Sequence, residues 1–455
     1  MLRPDPQLCP TYNPKVSIFG SYHWSLVTQS LFYMFLLTSP LNVYGLGSGV
    51  FNYRFSRIFL LLTVFAIVIE RLLKMHNLLL KLRPFEYFVC IYCFLAFLSA
   101  LYVPNYGAFA TRFFGLIECI LILYVVRIFT HEEGYWLKSV QIYLLSSITV
   151  LLASLYQVVN ILRGTLYGTV LPFPSLLLLE RYPELKNWTY NSAIIGGAIR
   201  VSSTFAEPNM LAGYCASLIP FAIVIFLISN KNRMIKWRSF LNLFILLGLV
   251  VMVIASVSKS GFLSMVLGIL LTLKFTFMKF SAKQRRWAAI VLTLIVVCCV
   301  LYGLQYIDLI ANRLSLGDSG HMEYMLGAWN DISDGSWVWG KGFGQYKLVS
   351  AHTIVLTALV ELGLLGGILI VMITIQPLRY VKYLSRLSSR MNYDPQVSNY
   401  LFLMSASLAS FVAIVLGLYL YDYWIHPFTW ISISLFMSLV SNIQRGFKSG
   451  VFAKL

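Results

Sequence analysis

Residues 196–214 read Gly-Gly-Ala-Ile-Arg-Val-Ser-Ser-Thr-Phe-Ala-Glu-Pro-Asn-Met-Leu-Ala-Gly-Tyr, and the rest of the chain is organised around this stretch. Glu207-Pro208 is typical of a helix start, because a proline at the first helical position lacks only a donor that the helix would leave unpaired. The amide groups of a helix start favour anions. Arg200 and this helix start together predict an anionic ligand.

The composition predicts an all-α, polytopic integral membrane protein. Hydrophobic residues make up 59% of the 455 residues and charged residues only 11%. The apolar residues come in runs of about twenty, the length that spans a hydrocarbon core. The first run merges with a full-length span, so no short cleavable signal is expected. Twelve spans are predicted: 24–43, 56–73, 85–103, 111–130, 139–161, 208–229, 238–257, 260–279, 286–306, 352–374, 397–420 and 424–442.

The positive charges predict the topology of these spans. Of the 35 lysines and arginines, 24 lie at connections on the side that holds both termini and 11 on the other side. The positive-inside rule therefore predicts that both termini are cytoplasmic. Topology also accounts for most of the net charge of +18, so this charge does not indicate a nucleic-acid partner.

The spans and connections divide the chain into five parts. Residues 1–161 are predicted to be scaffold spans, 208–306 the sixth to ninth spans and 352–455 the C-terminal spans. Between them lie two long outward loops, 162–207, with a predicted interfacial helix, and 307–351. Because loops of this length are usually functional, the working site is expected on the outward face.

Two further residues are candidates on that face. Lys259 lies in a tight turn and is expected to be buried between two helices, directed toward the same surface as Arg200; snorkelling is the alternative. His352 is expected in the first turn of a membrane helix, where the dipole favours a neutral imidazole that could accept a proton. A histidine that binds loop backbone is the alternative. Glu361, nine residues later, is predicted to face away from His352.

Two features of the spans themselves complete the prediction. Glu118 lies within a span, so it must pair, stay protonated or face a cavity. Cys90 and Cys93 also fall within a span, where helix packing is the expected role. No cluster of His, Cys and Asp has metal-ligand spacing, so neither a metal nor another cofactor is expected.

The outward face carries an ordered set of short motifs. It reads Arg200-x-x-Ser-Thr-Phe-x-Glu-Pro-Asn209, then Ser258-Lys-Ser-Gly261, then a long loop that ends in Gly-x-Gly344, and then His352-Thr. In order and spacing this resembles the O-antigen polymerase and O-antigen ligase family of membrane glycosyltransferases. The match covers residues 196–367, and the first five spans match only as hydrophobic segments.

The resemblance implies a type C glycosyltransferase fold with an active site on the periplasmic face of the bacterial inner membrane. The donor and the acceptor would both be oligosaccharides carried by undecaprenyl diphosphate. A chain-length regulator and a flippase are the protein partners to consider. Arg200 corresponds to an arginine that holds the diphosphate, and His352 to a histidine that acts on the acceptor hydroxyl.

Other residues take roles consistent with this resemblance. Lys259 stands where relatives commonly have arginine, and His321 stands where arginine is often expected. Arg313 is a further candidate cation for the diphosphate. Glu207 and Asp318 compete with His352 as the general base. Thr353 replaces the Asn, Ser or Gln that ligases usually carry, which favours a polymerase.

Two alternatives stay open. A ligase would transfer the finished glycan to lipid A core or to a protein. A transporter or flippase would move the same lipid-linked sugars, and Glu118 and Glu361 within spans keep this alternative open. Against transport, the sequence shows no inverted repeat or paired broken helices, and its charges concentrate at one face.

Overall fold

In a computed structural model of the chain, the regular structure of the described residues is helical apart from two minimal ladders of two-residue strands. It describes residues 24–41, 45–46, 53–73, 82–130, 133–162, 194–195, 198–205, 207–231, 236–276, single positions between 285 and 300, 319–333, 337–345, 353–381, 395–421 and 425–448.

These residues form thirteen α-helices and two antiparallel β-ladders. The helices are α1 (Leu26–Thr38), α2 (Phe55–Leu73), α3 (Pro84–Leu98), α4 (Tyr106–Phe129), α5 (Glu133–Leu145), α6 (Ser147–Leu162), α7 (Pro208–Lys231), α8 (Lys236–Ala255), α9 (Lys259–Thr276), α10 (Ser319–Asp331), α11 (Ile354–Ile375), α12 (Pro395–Leu420) and α13 (Pro427–Lys448). The ladders pair β1 (Gly45–Leu46) with β2 (Tyr53–Arg54), and β3 (Ile194–Ile195) with β4 (Ala198–Ile199). Short 3-10 helices, Ser99–Leu101 and Gln376–Tyr380, extend α3 and α11.

Seven helical stretches in the described part of the chain are long and apolar enough to cross a membrane. They confirm an all-α membrane protein, while the count of twelve spans stays a prediction. The predicted fifth span, 139–161, begins earlier than expected, at the start of α5, and is divided at Ser146 into α5 and α6. The predicted ninth span, 286–306, is described only at single helical positions, and the interfacial helix expected within 162–207 lies outside the described residues.

The helix that follows the opening stretch, α7, is the centre of the bundle. It packs against α8, α9 and α12. In the most apolar stretch of α7, 94% of the residues are buried inside the protein. In the corresponding stretch of α3 with its 3-10 extension, 33% are buried. A helix that is apolar on every side suits such a position, because it presents no polar face to its neighbours.

Small residues let α7 and α9 approach each other closely. A Cβ added to Gly261 would lie 2.2 Å from the Ala212 side chain, and one added to Gly268 would lie 3.3 Å from Pro220. Close backbone approach at small residues is a main source of helix association in membranes. As Ala212 and Gly261 both lie near their helix starts, the N-termini of α7 and α9 are brought together at one face.

Three ion pairs join α4 to its neighbours. Glu118 pairs with Arg57 of α2 at 2.7 Å, which settles its predicted alternatives in favour of pairing. Arg127 pairs with Glu86 of α3. Arg112 pairs with Glu361 of α11 at 3.0 Å. Pairing offsets the desolvation that an isolated charge would suffer at these depths.

A glycine-rich loop packs against a kink in α11. Gly363 has φ +67°, and Leu364 N–H donates to the Trp337 carbonyl at 2.9 Å. The loop, residues 337–345, is called the glycine loop below. A Cβ on Gly363 would lie 2.0 Å from the Val338 carbonyl oxygen, so only glycine permits this contact.

We expect Gly363→Ala to destabilise the protein by at least about 2 kcal/mol, because the left-handed backbone and the contact with Val338 both disfavour a side chain. Thermal unfolding in detergent would measure the loss. Gly107→Ala is the matched control, since its added Cβ would meet nothing closer than 3.4 Å. Equal stability of the two variants would contradict the docking of the loop at this kink.

Candidate functional site

The residues that precede α7 form a buried segment without regular structure. Residues 200–205, called the arginine segment below, are each 5% exposed or less. Val201 N–H donates to the Ala255 carbonyl at 3.0 Å, and Thr204 Oγ1 donates to the Pro40 carbonyl at 2.7 Å. Buried backbone groups need hydrogen-bond partners, and these bonds supply them for the Val201 N–H and for the Ala255 and Pro40 carbonyls.

Two residues of this site have left-handed backbone without being glycine. Ser203 has φ +54° and Val257 has φ +50°. Ser203 N–H donates to Gln157 Oε1 and its hydroxyl to the Val150 carbonyl, both at 2.7 Å and both on α6. Such conformations persist only where the surroundings impose them, and they cluster at functional sites.

Arg200 is the charged centre of the arginine segment. Its Nε donates to the Ser256 carbonyl at 2.7 Å and its Nη2 to Asn209 Oδ1 at 2.8 Å. The first acceptor belongs to the turn between α8 and α9, and the second to the first turn of α7. These bonds fix the plane of the guanidinium beside the N-termini of α7 and α9, while the anionic ligand that the sequence predicted for Arg200 and the helix start stays a prediction.

Glu207 immediately precedes α7 and is 7% exposed. Burial raises the pKa of this carboxyl to about 7, and the charge of Arg200 opposes the shift without cancelling it. A carboxyl with this pKa exists in both forms near neutral pH, which suits a group that exchanges a proton.

Lys259 differs from the expectation. It is the first residue of α9 and is exposed, which agrees with the snorkelling alternative and not with a lysine buried between two helices. The reason is that Gly261 occupies the packed position against Ala212, and Ser258 Oγ accepts from Gly261 N–H at 3.2 Å as a helix cap. The turn before Lys259 contacts Arg200 through Ser256, so the two cations lie on one face.

The start of α11 also differs from the expectation. The helix begins at Ile354, and Thr353 caps it by accepting from Leu356 N–H at 3.1 Å. His352 therefore precedes the helix and its cap instead of lying in the first turn, because threonine is a favoured N-cap residue. The His352 side chain itself lies outside the described residues, as do Asp318 and Arg313.

The second of the two long predicted loops contains a helix, α10, whose backbone includes His321, although that side chain is not described. Ala328 of α10 is fully buried with Val360 of α11, and Ile332 and Leu356 pack against them. The first half of α11 is therefore held by α10. Among the described residues, no three or more His, Cys, Asp or Glu side chains are grouped as metal ligands would be.

The glycine loop fixes the same half of α11 from another direction. Lys341 and Gly342 donate their N–H groups to the Val360 and Glu361 carbonyls at 2.7 and 3.0 Å. Gly344 N–H donates to Glu361 Oε1 at 3.2 Å. Glu361 is thus a structural anchor, while its predicted orientation away from His352 stays a prediction.

Sequence reasoning missed the residues that support the site. Asn209 holds Arg200, Gln157 holds Ser203, and Arg112 pairs with Glu361. Asn209 stands within the quoted motif and could have been singled out as a helix-start acceptor. The other two lie on helices that the sequence indicated only as scaffold.

We expect Arg112→Ala to destabilise the protein by about 3–5 kcal/mol, because it leaves the Glu361 carboxylate buried and unpaired. The double variant Arg112→Ala/Glu361→Gln should recover part of this loss, since it removes the buried charge. Thermal unfolding of the two single variants and the double variant measures the coupling. Additive effects would contradict an interaction between these side chains.

Comparison of the chain with known proteins identified no relative. No protein-family model matches the chain, and no curated protein sequence matches it.

Proposed function

We propose that this chain is a polysaccharide polymerase, a membrane glycosyltransferase that joins undecaprenyl-diphosphate-linked repeat units at the periplasmic face of the bacterial inner membrane. The observation that carries the proposal is Arg200, a buried arginine held rigidly beside two adjacent helix N-termini at the edge of the bundle. The motif resemblance supplies the substrate class, and the physical chemistry of the site supports it.

The site suits an anion that is tied to a membrane. A polyprenyl tail favours hydrocarbon by roughly 0.8 kcal/mol per buried CH₂, so a lipid-linked donor keeps its diphosphate at the interface. Arg200 provides a planar fork that matches phosphate oxygens. The starts of α7 and α9 add N–H groups and positive dipole ends, and Lys259 adds a second, exposed charge there.

The proposed reaction is a single displacement at the anomeric carbon of the donor. The acceptor hydroxyl oxygen forms the new bond, and the bond between the anomeric carbon and the diphosphate oxygen breaks. The diphosphate leaves with the electron pair, and Arg200 and Lys259 stabilise its growing charge. One displacement inverts the anomeric centre. In this scheme no metal is needed, because the cations take the role that a metal has elsewhere.

The proton of the acceptor hydroxyl must go to a base. The resemblance assigns this role to His352, with Glu207 and Asp318 as competitors. Glu207 has a specific observation in its favour, since burial brings the pKa of its carboxyl to about 7. It would accept a proton above that pH and be already protonated below it.

The direct test supplies the purified, reconstituted protein with a lipid-diphosphate-linked repeat unit. We expect a ladder of products on a gel without any other acceptor. Transfer of the glycan only after lipid A core is added would show that the protein is a ligase and not a polymerase. The absence of any new glycosidic bond with the natural repeat unit would favour a transporter.

We expect Arg200→Ala to raise the KM for the lipid-linked donor by about 10- to 100-fold, the cost of one charge-assisted hydrogen bond. Because Arg200 is buried, thermal unfolding must show that the variant is folded. Lys259→Ala gives an independent reading at an exposed position, and Lys274→Ala, at the other end of α9, is its matched control. An unchanged KM in both Arg200→Ala and Lys259→Ala would argue against this diphosphate site.

The base can be identified from pH profiles of the transfer rate. If Glu207 is the base, the rate of the wild-type protein falls as pH decreases through about 7, and Glu207→Gln lowers the rate and removes this limb. If His352 is the base, Glu207→Gln keeps the limb and His352→Ala abolishes turnover while donor binding persists. Loss of binding equal to the loss of turnover in His352→Ala would contradict a base at that position.

A further inference from the structure

The glycine loop begins with an exposed apolar run. Trp337, Val338 and Trp339 are 55%, 39% and 77% exposed. Exposed large apolar side chains in a row require a partner or a nonaqueous environment. The loop then turns polar at Lys341, whose ammonium pairs with Asp331 of α10.

Hydrogen bonds fix the depth of this run relative to two spans. The Trp339 carbonyl accepts from the Tyr102 hydroxyl at 2.8 Å, directly after the end of the span Pro84–Leu101. The Trp337 carbonyl accepts from Leu364 N–H at 2.9 Å, within the span Ile354–Tyr380. The run is thus attached to the membrane helices themselves.

The lengths of these spans locate the attachment points. Pro84–Leu101 has 18 residues, which gives about 27 Å of helix, and about 25 Å of helix separates Leu364 from Tyr380. The first distance approaches the roughly 30 Å thickness of a hydrocarbon core and puts Tyr102 close to its loop-side edge. The span Ile354–Tyr380 has 27 residues, more than the core requires, so the depth of Leu364 follows from its hydrogen bond to the run that Tyr102 also binds.

The protein surface around the run is apolar and exposed. Leu364, Leu365 and Ile368 of α11 are 46–49% exposed, and Phe97 and Leu101 at the end of the α3 span are 56% and 83% exposed. In a membrane-spanning helix such side chains contact lipid. The Trp337–Trp339 run continues this lipid-facing wall at the depth where tryptophan and tyrosine are enriched in membrane proteins.

We propose that the Trp337–Trp339 run is a bilayer-docking surface, with the two indoles inserted among the headgroups and upper acyl chains of the outer-leaflet lipids on the loop side. The occupant is the membrane's own phospholipid. This insertion would hold the glycine loop against the α11 kink from the lipid side, while its hydrogen bonds hold it from the protein side. The inference does not depend on the glycosyl-transfer reaction.

The test uses tryptophan fluorescence of the full chain in phosphatidylcholine vesicles. The emission of Trp337→Phe/Trp339→Phe is subtracted from that of the wild-type protein, which isolates the two indoles. We expect lipids brominated near the headgroup end of the acyl chain to quench this difference emission about twofold more than lipids brominated near the chain terminus. Aqueous acrylamide should quench it little.

Controls separate the proposal from its rivals. The buried Trp430, replaced by Phe, should leave quenching by shallow bromolipids unchanged. If the double variant is not monodisperse, each single Trp→Phe variant gives the same comparison. Quenching by acrylamide without quenching by bromolipid would put the run in water and overturn the proposal. A spectral shift on adding maltoheptaose would overturn it in favour of a glycan-binding surface.

Discussion

Backbone N–H and C=O groups within a bilayer have no water to bind, so any irregular segment there must find its partners in the protein. Two described segments meet this constraint, the arginine segment and the glycine loop. The arginine segment is bonded to α6, to Pro40 and to the turn after α8. The glycine loop is bonded to the kink of α11 and to the residues between α3 and α4. Both segments can therefore present side chains at the membrane edge from a rigid frame.

The same constraint governs the charges of the bundle. Three carboxylates that contact α4 are each paired with an arginine, as an uncompensated charge would cost several kcal/mol at such depths. Glu207 is different, because burial dominates over the neighbouring Arg200 and raises its pKa. A carboxyl whose pKa is raised in the folded protein costs stability as pH rises above its ordinary range, and such buried, shifted groups are candidates for functional residues.

The sequence was sufficient for the features that depend on local pattern. Pro208 marks the start of α7 as predicted, and seven of the long apolar runs are membrane-length helices in the described part of the chain, because both signals reside in adjacent residues. The sequence left Lys259 between burial and snorkelling, since its exposure depends on Gly261 taking the packed position against Ala212 on another helix. The contact between Gln345 and Asn105 joins residues 240 positions apart, and the residue pattern of neither segment predicts it. The roles of Asp318, Arg313 and His321 stay predictions from the resemblance.

The kink at Gly363 connects these observations to the proposed chemistry. It divides α11 into two halves, and the first half is held at Val360 and Glu361 by the glycine loop. Packing of Ala328 against Val360 holds it from α10 as well. Thr353, the cap residue of this half, directly follows His352 in the chain. Glu361 and Arg112 therefore fix the half-helix that follows the proposed base in the sequence. A helix that ran straight through residue 363 could not be anchored in this way.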